Sequence, residues 1–194
     1  MTDPIQVICE NTGAAIEVPM GTTLLDVQRR LRPACDHPCL AAYVNNRTKE
    51  LNYRIYTPVT VRFLDITSFE GIRVYQRTVS FVLQKAVREL WPDRRLHIRH
   101  SMGSNGFYCE VSGIDEFTDG QIDRLRDHML KLVERDLPIR RTKALTEQVR
   151  SLYAAYGFKD KIALLDTRPR LYSELYTIDG MPGYFYGSLA PSTG

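Results

Sequence analysis

The sequence predicts an α+β fold in two parts, and three patterns point to it. Between Ile5 and Leu64, short period-2 runs bounded by turn residues surround one amphipathic helix. From Val79 to Leu90, the residues Val79, Val82, Leu83, Ala86, Val87 and Leu90 follow i, i+3, i+4, i+7, i+8 and i+11, a single apolar stripe. Beyond that helix, strand-like and helix-like stretches continue as far as Ile178.

In order, Ile5 to Cys9 reads as a strand, Glu10-Asn11-Thr12-Gly13 as a hairpin turn and Ala15 to Val18 as the return strand. Thr22 or Thr23 caps a helix carrying Leu24, Leu25, Val27 and Leu31. Ala41 to Val44 is a strand ending at Asn45-Asn46, a dipeptide that tolerates positive φ. Leu51 begins another short element, and Val59 to Leu64 alternates as a strand. Two strands, a helix and at least two more strands in about 65 residues is the β-grasp (ubiquitin-like) order. Residues 65–71 read as a joint.

The long helix from Val74 is closed by Trp91-Pro92, because proline lacks an N–H and restricts its predecessor. Leu96 to Arg99 and Phe107 to Val111 read as strands about a turn at Ser101 to Gly106. Thr118-Asp119-Gly120-Gln121 is a capping-box pattern opening a helix whose Ile122, Leu125, Met129, Leu132 and Val133 share one face. Pro138 ends it. A further helix runs from about Ala144 to Tyr156 with Gly157 at C′. Ile162 to Asp166 and Leu171 to Ile178 read as strands, and the closing GSLAPSTG as a polar tail outside any core.

Hydrophobic content of 43% and charged content of 25% are those of an ordinary globular protein. No apolar run approaches the roughly 20 residues of a membrane helix, and no signal-peptide core opens the chain, so a cytoplasmic location is expected. A net charge of +3 permits an anionic partner without demanding one. The four cysteines lack framework spacing, which favours reduced thiols. Cys35-Asp36-His37-Pro38-Cys39 offers at most three donors, with no second pair at zinc-finger spacing, and reads as loop. His97 and His100 fall on opposite faces of a regular strand. No Gly-x-Ser-x-Gly, His-Glu-x-x-His or Gly-x-x-x-x-Gly-Lys-Ser/Thr motif occurs, so no ATP site of known pattern is expected here. Arg94-Arg95, Arg99 and Arg140-Arg141 are scattered, a thin footprint for RNA.

Residues 3–66 resemble the TGS domain found at the front of threonyl-tRNA synthetases, on the Gly13 turn, PMGTTLLDV and AAYVNNRTKEL. The order helix, LWPD, strand, turn, NGFYCEV resembles the next domain of the same synthetases, shared with alanyl-tRNA synthetases and free-standing editing proteins. The resemblance implies a TGS-like β-grasp domain over 1–66, an editing-like α+β domain over 67–186, and a tail or linker over 187–194. In that family a His-x-x-x-His pair and a Cys-x-x-x-His pair form a metal and editing site. On this chain the first pair falls on Arg77 and Phe81 and the second on Met181 and Phe185. None of the four supplies an imidazole or a thiolate, so neither catalytic nor metal-binding residues are expected.

The resemblance also implies a ligand cleft. Arg77, Phe81 and Lys85, at i, i+4 and i+8, lie away from the apolar stripe on the face that looks into the family's cleft. A guanidinium and an aromatic plane there suit a phosphate and a base; alternatively, Phe81 simply fills the space left by histidines. Asp179, Lys161 and Tyr108 match family cleft residues, with a structural ion pair as the other reading of Lys161.

The whole chain resembles the N-terminal half of nucleoside kinases of the uridine kinase kind, on IQVICENTG, VNNRTKELNYRIYTP, DITSFEGIRVYQRTVSFVLQKAVRELWP, HIRHSMGSNGFYCEVSG and GYFYGSLAPSTG. That resemblance implies a non-catalytic regulatory or ligand-binding module, with a P-loop kinase domain as partner beyond residue 194 and ATP and magnesium confined to that domain. A nucleotide or other small anion is the implied ligand. A trans-acting editing hydrolase and an RNA-binding module are the alternatives.

Overall fold

The computed structural model describes residues 4–103, 106–167 and 169–194. The first elements are β1 (Pro4–Cys9), β2 (Ala15–Pro19), α1 (Leu24–Leu31), β3 (Ala41–Val44), β4 (Arg47–Glu50), β5 (Val59–Leu64) and α2 (Phe69–Leu90). There follow β6 (Leu96–Ser101), β7 (Phe107–Val111), α3 (Asp119–Glu134), β8 (Ile139–Leu145), α4 (Thr146–Ala155), α5 (Lys159–Asp166), β9 (Tyr172–Ile178) and β10 (Met181–Gly183). They form two compact units, residues 1–78 with 138–192, and residues 79–137 with 193–194. The division falls inside α2.

The first unit holds a five-stranded sheet in the order β2-β1-β5-β3-β4. β1 and β5 are parallel neighbours, and every other pairing is antiparallel. One face of β1 buries Ile5, Val7 and Cys9, the period-2 set of a half-covered strand. These pack with Val18, Leu24, Val27, Val61 and Phe63. Thr23 caps α1, its hydroxyl oxygen accepting from the Asp26 N–H at 3.1 Å. Leu51 to Ile55 is a laced loop rather than a new regular element. The Leu24 and Leu25 N–H groups donate to the Tyr53 and Leu51 carbonyls at 3.0 and 2.8 Å, so the loop satisfies donors at the start of α1. Leu51 and Ile55 are then drawn into the core. Asn45 and Asn46, both at positive φ, make the two-residue turn between Val44 and Arg47.

The expected joint is partly helical, since α2 begins at Phe69. Ser68 caps it, its hydroxyl accepting from the Gly71 N–H at 3.1 Å. Asp65 accepts from the Thr67 hydroxyl and N–H at 2.5 and 2.9 Å, which hold its carboxyl below the usual range. A Cβ on Gly71 would stand 1.7 Å from the Asp65 carbonyl oxygen, so only glycine fits there.

The first unit also holds the three-stranded antiparallel sheet β10-β9-β8. Sequence reading missed β8, placing the next helix from Ala144, whereas Ala144 and Leu145 end the strand and α4 starts at Thr146. Residues 162–166, read as a strand, belong to α5; Ile162 and Leu165, three apart, face Val149 and Tyr153. The supposed tail is core: Ser188, Leu189 and Ala190 are buried, Leu189 fully. The Ala190 N–H donates to the Thr78 hydroxyl at 2.9 Å, and the Pro191 carbonyl accepts from the Ile139 N–H at 2.9 Å.

In the second unit, Val82 and Ala86 of α2 pack on Leu132 of α3, with Leu125, Met129 and Leu137 beside them. Thr118 and Gln121 form the expected capping box. Ile122 and Val133, expected inward, are exposed. β6 and β7 make a hairpin; the turn expected at Ser101 to Gly106 lies partly outside the described residues. Thr193 accepts from the Leu137 N–H and donates to the Leu132 carbonyl at 2.6 Å.

Because Leu189 is enclosed, Leu189→Ala should cost about 2–5 kcal/mol. A urea titration checks this: the midpoint should fall at unchanged slope, whereas an unmoved midpoint would return residues 187–192 to the role of a tail.

Candidate functional site

The register of β8 against β9 sets Arg141 opposite Tyr176, Lys143 opposite Glu174 and Leu145 opposite Tyr172. Alternate residues of neighbouring strands share a face, so this face carries two cations, a carboxylate and two aromatic rings. The segment after β10 adds Tyr184, Phe185, Tyr186 and Gly187, and the loop before β9 adds Arg170 and Leu171. Together they line a groove of about 610 Å³ within the first unit, a size suited to a small ligand.

Its floor is an ionic knot. Arg141 reaches Glu174 at 2.5 Å and Glu50 of β4 at 3.3 Å. The Tyr176 hydroxyl meets the same Glu50 carboxylate and lies 2.8 Å from the Gly187 carbonyl oxygen. Burial, reinforced by Glu50, pushes the Tyr176 phenol far above its ordinary value, so it stays a neutral donor. Burial disfavours the Arg141 charge, but the Glu174 and Glu50 carboxylates outweigh it. Glu174, the carboxylate of the lining, is thereby engaged. Among the described residues, Lys143 and Arg170 have no carboxylate partner. The Lys143 ammonium lies 5.4 Å from the Tyr172 ring centroid, and Tyr184 meets Tyr186 edge-on at 5.2 Å.

The eight residues expected to line one cleft have different fates. Arg77, Lys161, Asp179, Met181 and Phe185 belong to the first unit; Phe81, Lys85 and Tyr108 belong to the second. Arg77 is half-buried and tied into its unit, donating to the Ser188 carbonyl at 3.1 Å and the Arg73 carbonyl at 3.1 Å. Burial lowers its pKa, with Glu70 opposing. Gly187, at φ 106°, lies so near that a Cβ would meet the Arg77 guanidinium at 2.1 Å. Met181 is buried, Asp179 turns the β9–β10 hairpin at φ 48°, and Lys161 pairs with Asp160 at 3.3 Å. Of the eight, only Phe185 lines the groove, its ring 6.2 Å from that of Tyr176.

Phe81 is 0% exposed and Lys85 4%, so the helix face expected to look into a cleft is packed. Val74, Thr78, Phe81, Val82 and Lys85 are all buried while Val79 is exposed, which rotates the buried stripe from the one expected. Lys85 pairs with Glu89 at 2.8 Å, and Glu89 also meets His128 at 2.6 Å. Tyr108 is exposed and stacks on His100 at 5.2 Å.

A register shift between Ile98 and His100 sets His97 opposite Glu110 and His100 opposite Tyr108. Those partners are alternate residues of β7, so the bulge returns both histidines to one face, contrary to the regular-strand expectation. Cys35 and Cys39 approach to 2.9 Å, and burial first, with the Cys35 thiol second, pushes the Cys39 thiol up to about 12. No group of three or more His, Cys, Asp or Glu suited to a metal occurs among the described residues.

The site defines a mixed α+β chain with a groove lined by cations and aromatic rings. No family model matches it. Similar curated proteins are threonine–tRNA ligases: that of Desulforamulus reducens is 27% identical over 157 residues, covering 81% of this chain and 25% of the relative. The ligase of Rubrobacter xylanophilus is 28% identical, covering 94% and 28%. Threonine–tRNA ligase 1 of Bacillus subtilis is 26% identical, covering 100% and 30%. The chain is homologous to the N-terminal region of threonyl-tRNA synthetase and spans between a quarter and three tenths of these relatives. No described helix is long and apolar enough to cross a membrane.

Glu89→Gln weakens the support of a buried cation and should cost about 1–3 kcal/mol. Burial raises the Glu89 carboxyl, but hydrogen bonds from Lys85 and His128 together outweigh it and leave the pKa below its ordinary 4.5. A carboxyl lowered by folding stabilises fully above its unfolded value and loses that contribution as pH falls through the folded one. The gap between wild type and variant, measured by denaturation at several pH values, should therefore close on acidification below about 4.5. A gap that persists at low pH would remove the ion pair as its source.

Proposed function

We propose that this chain is a non-catalytic module that binds a nucleotide-like anion or RNA, and that it keeps the threonyl-type editing fold without the editing chemistry. One observation carries the reading: the residues at the four positions where the family has His, His, Cys and His. Arg77 is engaged with Ser188, Phe81 is fully buried, Met181 is buried and Phe185 packs on Tyr176. Metal-assisted hydrolysis needs lone pairs from imidazole or thiolate, and these side chains have none beyond a thioether. The residues do not fit a metal.

The five-stranded sheet around α1 supports a TGS-like β-grasp domain over 1–66, followed by an editing-like domain. Threonine–tRNA ligases act on tRNA by name, and the basic, aromatic groove gives this chain a surface of matching chemistry. The finer reading, a regulatory module of a uridine kinase-like nucleoside kinase in the cytoplasm, is supported by the motifs quoted above.

Two measurements test the reading. Mischarged tRNA incubated with the chain should lose its amino acid no faster than in buffer, with or without zinc; accelerated deacylation would overturn the non-catalytic assignment. A labelled tRNA acceptor-stem oligonucleotide should bind in a salt-dependent way, log K falling linearly with log salt. If neither that oligonucleotide nor a mononucleotide binds at low salt, the binding assignment fails.

A further inference from the structure

We propose that the groove on the β8–β9 face is the nucleotide site itself, with a phosphate held by Lys143 and Arg170 and the base stacked on Tyr172 or Tyr186. The inference rests on the ligand-binding reading above and names its place and chemistry.

Of the three cations lining the groove, Arg141 is consumed by Glu50 and Glu174, which also silences the carboxylate in the lining. Lys143 and Arg170 line the same groove and have no carboxylate partner among the described residues. Arg141 with Glu50 and Glu174 leaves one negative charge in the floor, and the two further cations turn the groove net positive, which favours an anionic ligand such as a phosphate.

Tyr172 and Tyr186 are 48% and 62% exposed, large planar surfaces left in contact with water. Exposed rings beside cations are the arrangement that stacks bases while holding their phosphates. An acidic peptide would use the charges but not the rings; an apolar ligand would use the rings but strand the charges. A phosphorylated planar heterocycle uses both. Arg141 acts as a positioning residue: through Glu50 and Glu174 it fixes β8 against β9 and keeps Tyr176 in the floor.

The shared chemistry has two sources, a free nucleoside monophosphate and the phosphorylated end of single-stranded RNA. The experiment titrates the full chain with uridine monophosphate by calorimetry, and with a 5′-phosphorylated, fluorescein-labelled four-nucleotide RNA by anisotropy. Lys143→Ala with Arg170→Ala should weaken binding at least tenfold and lower the salt slope by about 1–2. Tyr172→Leu should weaken it by about 5- to 150-fold with the salt slope kept, the signature of a lost stacking partner. Arg29→Ala with Arg30→Ala, two exposed residues of α1, serves as the charge-matched control and should leave binding unchanged. Unaltered thermal midpoints exclude unfolding as the cause.

Loss of monophosphate binding alone assigns the site to the free nucleotide; loss of both assigns it to an RNA end, and either supports the groove. If the wild type binds while both groove variants bind equally well, the groove is overturned and the wider function stands. If the wild type binds neither probe, the wider function falls and takes the groove with it.

Discussion

The contact on which the groove depends is the knot of Arg141, Glu50, Glu174 and Tyr176. It joins a carboxylate on the edge strand of the five-stranded sheet to a strand pair far along the chain. Ionic groups removed from water give little net stability, because desolvation consumes most of their attraction. What they supply is specificity. Glu50 satisfied by a guanidinium and a phenol has one low-energy arrangement, and a slipped register would leave a half-buried charge unpaired. The same pairing determines which cations remain for a ligand. Had Glu174 faced Lys143 alone, the cavity would hold a neutral pair and little reason to bind an anion.

A second constraint comes from α2, which buries more than one stripe. A narrow stripe suffices for a helix lying on one surface. Here Val74, Thr78, Phe81 and Lys85 are enclosed as well as Val82, Ala86 and Val87. Enclosing a lysine is tolerable only with a partner, and Glu89 one turn later supplies it. Phe81 needs none. A histidine in its place would carry two nitrogens into a packed interior and require partners for both. The residue types along this helix therefore suit packing, not coordination.

Much of the fold was legible. Asn45-Asn46, the Thr118–Gln121 box, the Gly157 stop and most of the strands follow local rules that tertiary context did not override. The failures share a physical cause, which is that short apolar runs do not reveal their period. Ile162 to Asp166 has too few residues to separate helix from strand, and β8 is so charged that it shows no apolar alternation. Missing β8 hid the groove, because Arg141 and Lys143 read as scattered charges unless they occupy alternate positions of a strand. The signal that could have found them was Tyr172, Glu174 and Tyr176, already a period-2 set, with three more aromatic residues at 184–186. GSLAPSTG misled for the opposite reason: small residues look polar by composition yet fit where another group crowds the backbone, as the Arg77 guanidinium does at Gly187.

The expected cleft and the observed groove meet at Phe185, and the difference between them is chemical. An editing site concentrates lone pairs on a hydrated hollow; at the corresponding positions this chain has a guanidinium tied to backbone carbonyls, two buried apolar side chains and a ring against a tyrosine. On the proposed reading, each of these side chains adds packing or a charge-assisted hydrogen bond where an editing site would place a proton carrier. The charged and aromatic groups of the groove lie elsewhere. On β8 and β9 they stand on one sheet face, oriented by rigid strands rather than by a loop, an arrangement suited to recognition and poor in groups that titrate near neutrality. Tyr176 is held protonated and Arg141 charged. On the proposed reading, such a lining would hold an anion in place through charges fixed on a sheet face.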